Sequence, residues 1–326
     1  PSDKIEILNG PGNAPTTVTV EAPAVVGASS DYSVNVRDSS VFNMTGGTLF
    51  DELFMFNNST ATISGGQIGD DITTNDNASI VVHSGKVLDD VEATGNSLVT
   101  IYDGDFDEDV EAYNSAVVNI FGGMFQTGSD GANIEAADNS TINIHGGAFG
   151  VGQTDNAGAI AALNNGTINI YGGAIGGQPE GLVASGNGVI NIHGFDSTPA
   201  SLRVIGDGQI NILDGPLASM IVNGNGVATL QGSDGSLTAV NALDSATIKI
   251  FGSNFSVFGA PIGFGPIPFV AGSFSGTLKD GQMLTNVTFS RNFTGGAQIV
   301  LVPEPTAAAL GLLSVAGLAA VRRRRR

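Results

Sequence analysis

Apolar residues recur along the chain at an almost constant interval. The most regular line begins at Met44 and ends at Ile250, with successive steps of 19, 19, 19, 19, 24, 26, 22, 20, 18 and 20 residues. Its members, called the anchors below, are Met44, Ile63, Val82, Ile101, Ile120, Ile144, Ile170, Ile192, Ile212, Leu230 and Ile250. Self-similarity at a short period is the sequence signature of a solenoid.

Each anchor lies within a predicted strand, and the coil around Ile144 serves as an example. Ile142 stands two positions before this anchor, and a second apolar pair, Ile134 and Ala136, stands ten and eight positions before it. A third apolar position, Phe149, follows five positions after it. Alternation at period two predicts short strands with one face turned inward.

Residues that favour tight turns separate these strands. Pairs such as Asn164-Asn165 and Gly186-Asn187 stand before each anchor strand, and Gly-Gly pairs such as Gly146-Gly147 follow it. Gly, Asn and Asp tolerate the left-handed backbone that a corner needs. A period of 19 residues is too short for two helices and two turns, so a helical solenoid is excluded. The pattern predicts an all-β fold, a single-stranded parallel β-helix (β-solenoid) of about 11 coils, and the crossover rule favours a right-handed coil.

The repeat register divides the chain into regions. Residues 33–258 are predicted to form the solenoid, with about 19–26 residues in each repeat. Residues 1–32, which are broken by several prolines, are predicted to be an N-terminal β cap, and residues 259–302 a C-terminal β cap. Caps are expected because the end coils of a solenoid otherwise expose strand edges.

Composition narrows the classes of function. The chain contains 47 Gly, no Cys and only 13% charged residues, yet its net charge is −19. The absence of Cys excludes disulfides, thiolate catalysis and zinc-finger sites. An acidic surface repels nucleic acid, so no nucleic-acid partner is expected. The 41% of apolar residues are periodic, which excludes simple disorder.

The C-terminal segment has a different organisation from the repeats. Pro303-Glu304-Pro305 precedes sixteen uncharged residues, 306–321, and the chain then ends in five Arg residues. We predict a transmembrane helix over 306–321, although sixteen helical residues span only about 24 Å of a hydrocarbon core about 30 Å thick. Basic residues are retained on the cytoplasmic side, which places the solenoid outside the membrane.

This three-part order resembles the PEP-CTERM sorting signal of Gram-negative bacteria, and the Gly-rich coils are similar to planctomycete examples. The resemblance implies that exosortase, a membrane cysteine transpeptidase, recognises the motif and removes the tail during export. It implies a membrane-inserted precursor and then a location at the cell surface or in the extracellular matrix, where members often accompany exopolysaccharide. An upstream export signal is also expected. The implied motif is Pro303, Glu304 and Pro305, and the implied retention cluster is Arg322, Arg323, Arg324, Arg325 and Arg326.

Acidic residues recur in two columns at intervals of 19 residues. Stacked one coil apart, about 5 Å, such carboxylates repel one another and raise one another's pKa. One hypothesis is that they bind calcium, which prefers oxygen ligands, and the other is that they form a solvated acidic face. The residues are Asp51, Glu52, Asp70, Asp71, Asp89, Asp90, Glu108 and Asp109.

Aromatic residues form another line, one position after successive anchors. Tyr102, Phe121 and Tyr171 are the candidates for stacking on sugar rings, and His145 and His193 belong to the same line. The alternative is that these rings stack on one another and stabilise the surface.

No catalytic constellation stands out from the sequence. A Gly-x-Ser-x-Gly elbow and a phosphate-binding Gly-Lys-Ser/Thr loop are both absent. The sequence therefore predicts an exported structural or adhesive protein that is not an enzyme, with no cofactor other than the hypothetical calcium. A polysaccharide-binding or polysaccharide-degrading parallel β-helix protein is the alternative.

Overall fold

The chain winds into an all-β solenoid of about ten turns, close to the predicted number of about 11 coils, and strands of the two predicted caps extend the stack at both ends. The computed structural model describes residues 3–27, 32–125, 134–150, 160–176, 181–196, 200–292 and 295–304, and every structural statement below refers to these residues. Parallel pairing from one coil to the next builds three faces, here called ladders one, two and three.

The strands of ladders one and two alternate along the chain. Ladder one contains Asp3–Ile7, Tyr32–Val36, Leu53–Met55, Ile72–Thr74, Val91–Ala93, Val110–Ala112, Ile134–Ala136, Ile160–Ala162, Leu182–Gly186, Ala200–Gly206, Leu217–Val222, Ala239–Ala242 and Met283–Arg291. Ladder two contains Thr17–Val20, Val41–Leu49, Thr60–Ile68, Ser79–Val87, Leu98–Ile101, Val117–Ile120, Thr141–Ile144, Thr167–Ile170, Val189–Ile192, Gln209–Ile212, Val227–Leu230, Thr247–Val257 and Gln298–Pro303.

Ladder three is shorter. It comprises the ends of the three longest early strands of ladder two together with Val25–Val26, Asp105–Phe106, Met124–Phe125, Ala148–Phe149 and Ala174–Ile175. The remaining strands are Ala260–Pro261, Gly265–Pro266 and Ala271–Leu278, and the one helical turn described is the 3₁₀ turn Pro11–Asn13. Segments 126–133 and 151–159, which lengthen two of the repeats, lie outside the described residues.

The predicted anchors form one continuous line of contacts inside the solenoid. Ile101, Ile120 and Ile144 are register partners on successive strands of ladder two, and each side chain is fully buried. The third inward position carries a column of stacked rings, in which Phe125 lies 4.9 Å from Phe106 and 4.7 Å from Phe149 between centroids. The predicted register of the repeat is therefore confirmed.

The corners adopt the backbone that the turn residues predict. The first residue of the polar corner has a positive φ in successive coils, as at Asn57 (60°), Asp76 (59°) and Gly95 (69°). Side chains join these corners from coil to coil: the Asn57 N–H donates to Oδ2 of Asp76 at 2.9 Å. Asn and Asp tolerate this conformation and also supply polar groups that satisfy the backbone of the neighbouring corner.

Both predicted cap regions contribute parallel strands to the solenoid. Asp3–Ile7 pairs with Tyr32–Val36, and Thr17–Val20 pairs with Val41–Leu49. At the other end, Gln298–Pro303 pairs with Thr247–Val257, and the antiparallel strand Gly265–Pro266 covers its other edge.

The predicted transmembrane helix, 306–321, and Arg322–Arg326 lie outside the described residues, as does Pro305. Within the described part of the chain, no helix has the length and apolar character needed to cross a membrane.

Removing an anchor side chain should destabilise the protein. Ile144 is fully buried, so Ile144→Ala deletes packed atoms and leaves a cavity. We expect its free energy of unfolding, measured by urea titration with circular dichroism, to fall by about 2–5 kcal/mol. The control is Thr141→Ala on the outer face of the same strand, which should change it by no more than about 0.5 kcal/mol. Equal effects of the two variants would contradict the assigned register.

Candidate functional site

The predicted acidic residues lie along one edge of the solenoid, here called the acidic corner: Asp51, Glu52, Asp70, Asp71, Asp89, Asp90, Glu108 and Asp109. The residues come as four adjacent pairs, such as Asp70-Asp71, and each pair connects ladder three to ladder one. Ile68 and Val87 are register partners on one side of this connection, and Ile72 and Val91 are register partners on the other. Pairing on both sides holds equivalent carboxyl groups one coil apart, as the 19-residue interval predicts.

Hydrogen bonds link successive coils along the acidic corner. The Asp90 N–H donates to Oδ1 of Asp71 at 3.0 Å, and the Asp109 N–H donates to Oδ1 of Asp90 at 2.8 Å. Besides burial, the neighbouring carboxyl groups of Asp51 and Asp89 both contribute to raising the pKa of Asp70.

A further acidic column, which was not predicted from the sequence, lies beside the acidic corner on ladder one. Glu92, Glu111 and Glu135 are register partners at the centres of three-residue strands. The signal was present as the repeated pattern Val-Glu-Ala or Ile-Glu-Ala, in which an outward residue separates two inward ones. Tyr113 is hydrogen-bonded to Glu111, and burial together with this bond raises the pKa of Tyr113.

Partial burial and mutual repulsion make these groups hold protons tightly. Burial, and then the neighbouring carboxylates, raise the pKa of Asp70 to about 6. Burial is also the largest cause that raises the pKa of Asp71 to about 6 and that of Glu111 to about 7. For the same leading reason the pKa values of four more carboxyl groups are raised: Glu52, Asp90, Glu92 and Glu135.

The same carboxyl groups have the geometry to share a cation. In three overlapping groups, one ligand oxygen from each residue lies within 4.8 Å of the other two. Calcium takes six to eight oxygen ligands at about 2.3–2.6 Å, so three carboxylates would supply only part of its coordination shell. The groups are Asp70, Asp71 and Asp89; Asp89, Asp90 and Glu108; and Asp90, Glu92 and Glu111. Protons and a hard cation would each relieve the repulsion between these carboxylates.

The five residues of the predicted aromatic line form a continuous outward column on ladder two, and His83, which was not predicted to belong to it, extends the column to six rings. The rings are His83, Tyr102, Phe121, His145, Tyr171 and His193. Adjacent ring centroids are 4.6–5.2 Å apart, and the planes of Phe121 and His145 differ by only 8°. Each interior ring therefore has both faces covered by its neighbours. What Tyr102, Phe121 and Tyr171 present to solvent is mainly their edges, although each is 44–47% exposed.

An asparagine column runs beside the rings and was not identified from the sequence. The amide of each Asn donates to Oδ1 of the previous one at 2.8–2.9 Å. Its members are Asn119, Asn143, Asn169, Asn191 and Asn211. The repeated Ile-Asn-Ile pattern was the available signal, because it places one amide on the outer face of each strand.

A shallow groove begins where ladder three ends, after Ala174–Ile175. It has a volume of roughly 530 Å³ and is lined by Tyr171, Phe195 and three exposed aspartates, Asp196, Asp214 and Asp234. Phe195 is almost fully buried and closes the floor. These aspartates do not stand out in the sequence, because they follow their anchors by unequal numbers of residues.

The described part of the predicted sorting motif leaves from the last coil. Pro303 is paired with Gly252 at the end of Gln298–Pro303, and Glu304 is exposed.

Comparison with known proteins adds no assignment to this geometry. No protein-family model matches the chain, and no significant match was found among curated proteins or solved structures.

Acidification should stabilise the protein. The pKa values of Asp70, Asp71 and Glu111 in the folded chain, about 6 to 7, exceed the ordinary values of 3.8 and 4.5, so the folded state binds more protons. This contribution is complete below about pH 4 and is lost as the pH rises through about 6 to 7. We expect the melting temperature, followed by circular dichroism at constant ionic strength, to fall between about pH 5 and pH 8.

The variant Asp71→Asn/Glu111→Gln should flatten that dependence, whereas Thr73→Ala, a neutral position in the same column as Glu111, should leave it unchanged. A melting temperature that rises over this pH range would contradict the prediction.

Calcium titration at about pH 8 distinguishes the two hypotheses for the acidic corner. A bound cation would give a heat of binding and raise the melting temperature of the wild type, and the variant, which loses a ligand from two of the three groups, should show a smaller response. A solvated face would show neither effect.

Proposed function

We propose that this protein is an exported, non-catalytic rod of the bacterial cell surface or extracellular matrix, with a structural or adhesive role. The observation that carries the proposal is the parallel pairing that continues along ladders one and two from Asp3–Ile7 to the last described strand, Gln298–Pro303. Such a surface repeats the same side chains at every coil instead of assembling different ones in one place. About ten coils spaced ~4.8 Å apart give a rod on the order of 50 Å long.

The side chains on the described faces suit a load-bearing or spacing role. Stacked rings and hydrogen-bonded amides tie each coil to the next in addition to the backbone ladders. The acidic corner gives one edge a dense negative charge, which favours solubility and repels other acidic polymers unless a divalent cation bridges them. Calcium bridging of this edge to an anionic exopolysaccharide is part of the proposal.

The tail supports an extracellular address. Its order of Pro303-Glu304-Pro305, uncharged segment and Arg cluster is the feature through which we propose recognition by exosortase in the membrane. Removal of residues 303–326 would take five Arg residues and Glu304 from a chain of net charge −19, and −19 − 5 + 1 leaves a mature rod of −23. Sorting therefore produces a more acidic protein than the precursor.

Disrupting the motif should trap the precursor. In a host that carries exosortase, we expect the variant P303A/E304A/P305A to accumulate in the membrane fraction at the precursor's mass. The wild type should appear at the surface or in the medium, about 2–3 kDa lighter, as the loss of some 24 residues requires. The matched control, Pro15→Ala/Glu21→Ala, changes exposed residues far from the tail and should be sorted normally. Identical mass and location of all three proteins would overturn the sorting proposal.

The groove beside Tyr171 favours a second candidate function, polysaccharide binding. Carboxylates that accept hydrogen bonds from hydroxyls, next to an aromatic ring, suit a neutral sugar. Asp196 and Asp234 each follow their anchor by four residues in coils that are two apart, which separates them by roughly 10 Å. In that proposal the groove binds one or two sugar units of a chain held at the surface.

Tyr171→Ala tests this candidate directly. In affinity electrophoresis against a panel of neutral polysaccharides, we expect it to weaken retention by about tenfold, equivalent to about 1.4 kcal/mol. Tyr102→Ala is the matched control, since Tyr102 is also stacked between two rings, His83 and Phe121, but lies away from the groove. Equal loss in both variants would move the binding to the ring column, and no retention of the wild type would remove the candidate. Release of reducing sugar from any polysaccharide would instead identify an enzyme.

A further inference from the structure

An exposed apolar patch covers the C-terminal end of the solenoid. We define it by Phe258, Phe264, Phe269 and Val270, whose exposures are 62%, 56%, 43% and 52%. Contiguous exposed apolar surface on a soluble domain marks an interaction site.

The patch is a fixed part of the fold. Phe258 packs edge-on against Phe269 with centroids 5.4 Å apart, and Phe264 packs in the same way against buried Phe255. Ile267, which is fully buried, donates its N–H to the Ile299 carbonyl at 2.8 Å. The guanidinium of Arg291, itself only 8% exposed, donates to the Phe269 carbonyl at 2.9 Å. The exposed rings therefore stand on an anchored segment.

Charge is absent from this region in a way that is unusual for this chain. Residues 250–278 contain no Asp, Glu, Lys or Arg, although the whole protein has a net charge of −19. An anionic surface such as a phospholipid membrane repels the acidic corner but not this end. The most favourable approach of the rod to a membrane is consequently with its C-terminal end first.

The patch also lies where the chain leaves the solenoid. Gly265–Pro266 pairs with Gln298–Pro303 on the edge opposite Thr247–Val257, so it stands beyond the last coil. The sixteen uncharged residues 306–321 follow directly after that last coil in the sequence. Any lipid-inserted position of the tail therefore holds the patch within a few residues of the bilayer.

We propose that the patch is a lipid-contacting foot, whose exposed Phe rings enter the interfacial region of a phospholipid bilayer. Aromatic and aliphatic side chains gain free energy at this boundary, and a bilayer covers all four residues at once. Because the contact is apolar, it forms on zwitterionic lipid and resists salt. The foot orients the rod on its end and adds a contact to the proposed function without depending on processing by exosortase.

The absence of Trp from the sequence provides a clean optical test. Single Trp residues are introduced into the full-length chain at Phe264 or Phe269, or at Phe50 as the matched control, which is 46% exposed near the other end of the rod. Each protein is mixed with phosphatidylcholine vesicles that contain brominated lipid, which quenches nearby Trp. Circular dichroism melts identical to wild type establish that each variant is folded, and two test positions guard against the failure of one.

We expect the Trp emission of Phe264→Trp and Phe269→Trp to shift to the blue and lose intensity on vesicles, at low and high salt, while Phe50→Trp does not respond. Vesicle flotation measures binding of the whole chain to lipid, including binding through the tail, independently of the Trp signal. Flotation without quenching at either test position overturns the foot, and so does quenching at all three positions or an absence of flotation. A blue shift in the absence of lipid would also overturn the foot. If that shift grows with protein concentration, the patch is covered by a second copy of the chain. If the shift does not depend on concentration, the patch is covered by residues 306–321. Neither result bears on whether the Pro-Glu-Pro motif directs sorting.

Discussion

In-register stacking of equivalent residues between successive coils is the constraint on which this structure depends. Parallel ladders fix the distance between coils at about 4.8 Å, so whatever side chain occupies a position meets its equivalent above and below. For Ile101, Ile120 and Ile144 this repetition buries apolar surface in a continuous core. For Asn143 and Asn169 it satisfies one amide with the next, and for Phe121 and His145 it brings ring faces together.

The same repetition is unfavourable where the repeated side chain is charged. Carboxyl groups at the acidic corner and along Glu92, Glu111 and Glu135 stand at a spacing that solvent screens only partly. The backbone N–H groups of Asp90 and Asp109 compensate in part by donating to the carboxylates of Asp71 and Asp90, and the raised pKa of Asp70 favours its protonated form. In uniform coils, the residue type at one repeat position therefore sets the charge of a whole edge. The two ends of the solenoid differ in charge because their columns contain different residues.

The sequence was sufficient to predict what depends on period alone. The anchor line, both strand registers, the left-handed corners and the rows of acidic and aromatic residues follow from counting intervals, because a solenoid maps interval directly onto neighbourhood. Features that depend on side-chain direction were missed or left open. The Asn143 column and the Glu111 column required knowing which residue of each strand points outward, and the stacking of ring upon ring decided what Tyr171 presents to solvent. The groove arises where ladder three ends, and the apolar patch arises in the segment that follows the last repeat, so no interval could reveal them.

The four equal steps from Met44 to Ile120 have a consequence for how such a protein can change over generations. Because the coils they define make the same contacts on both sides, loss or duplication of one 19-residue unit would join surfaces that already fit. Deletion elsewhere in a globular core rarely has this property, since each layer there meets a different neighbour. The early coils are therefore interchangeable, and recombination between repeats can change the length of the molecule by whole coils.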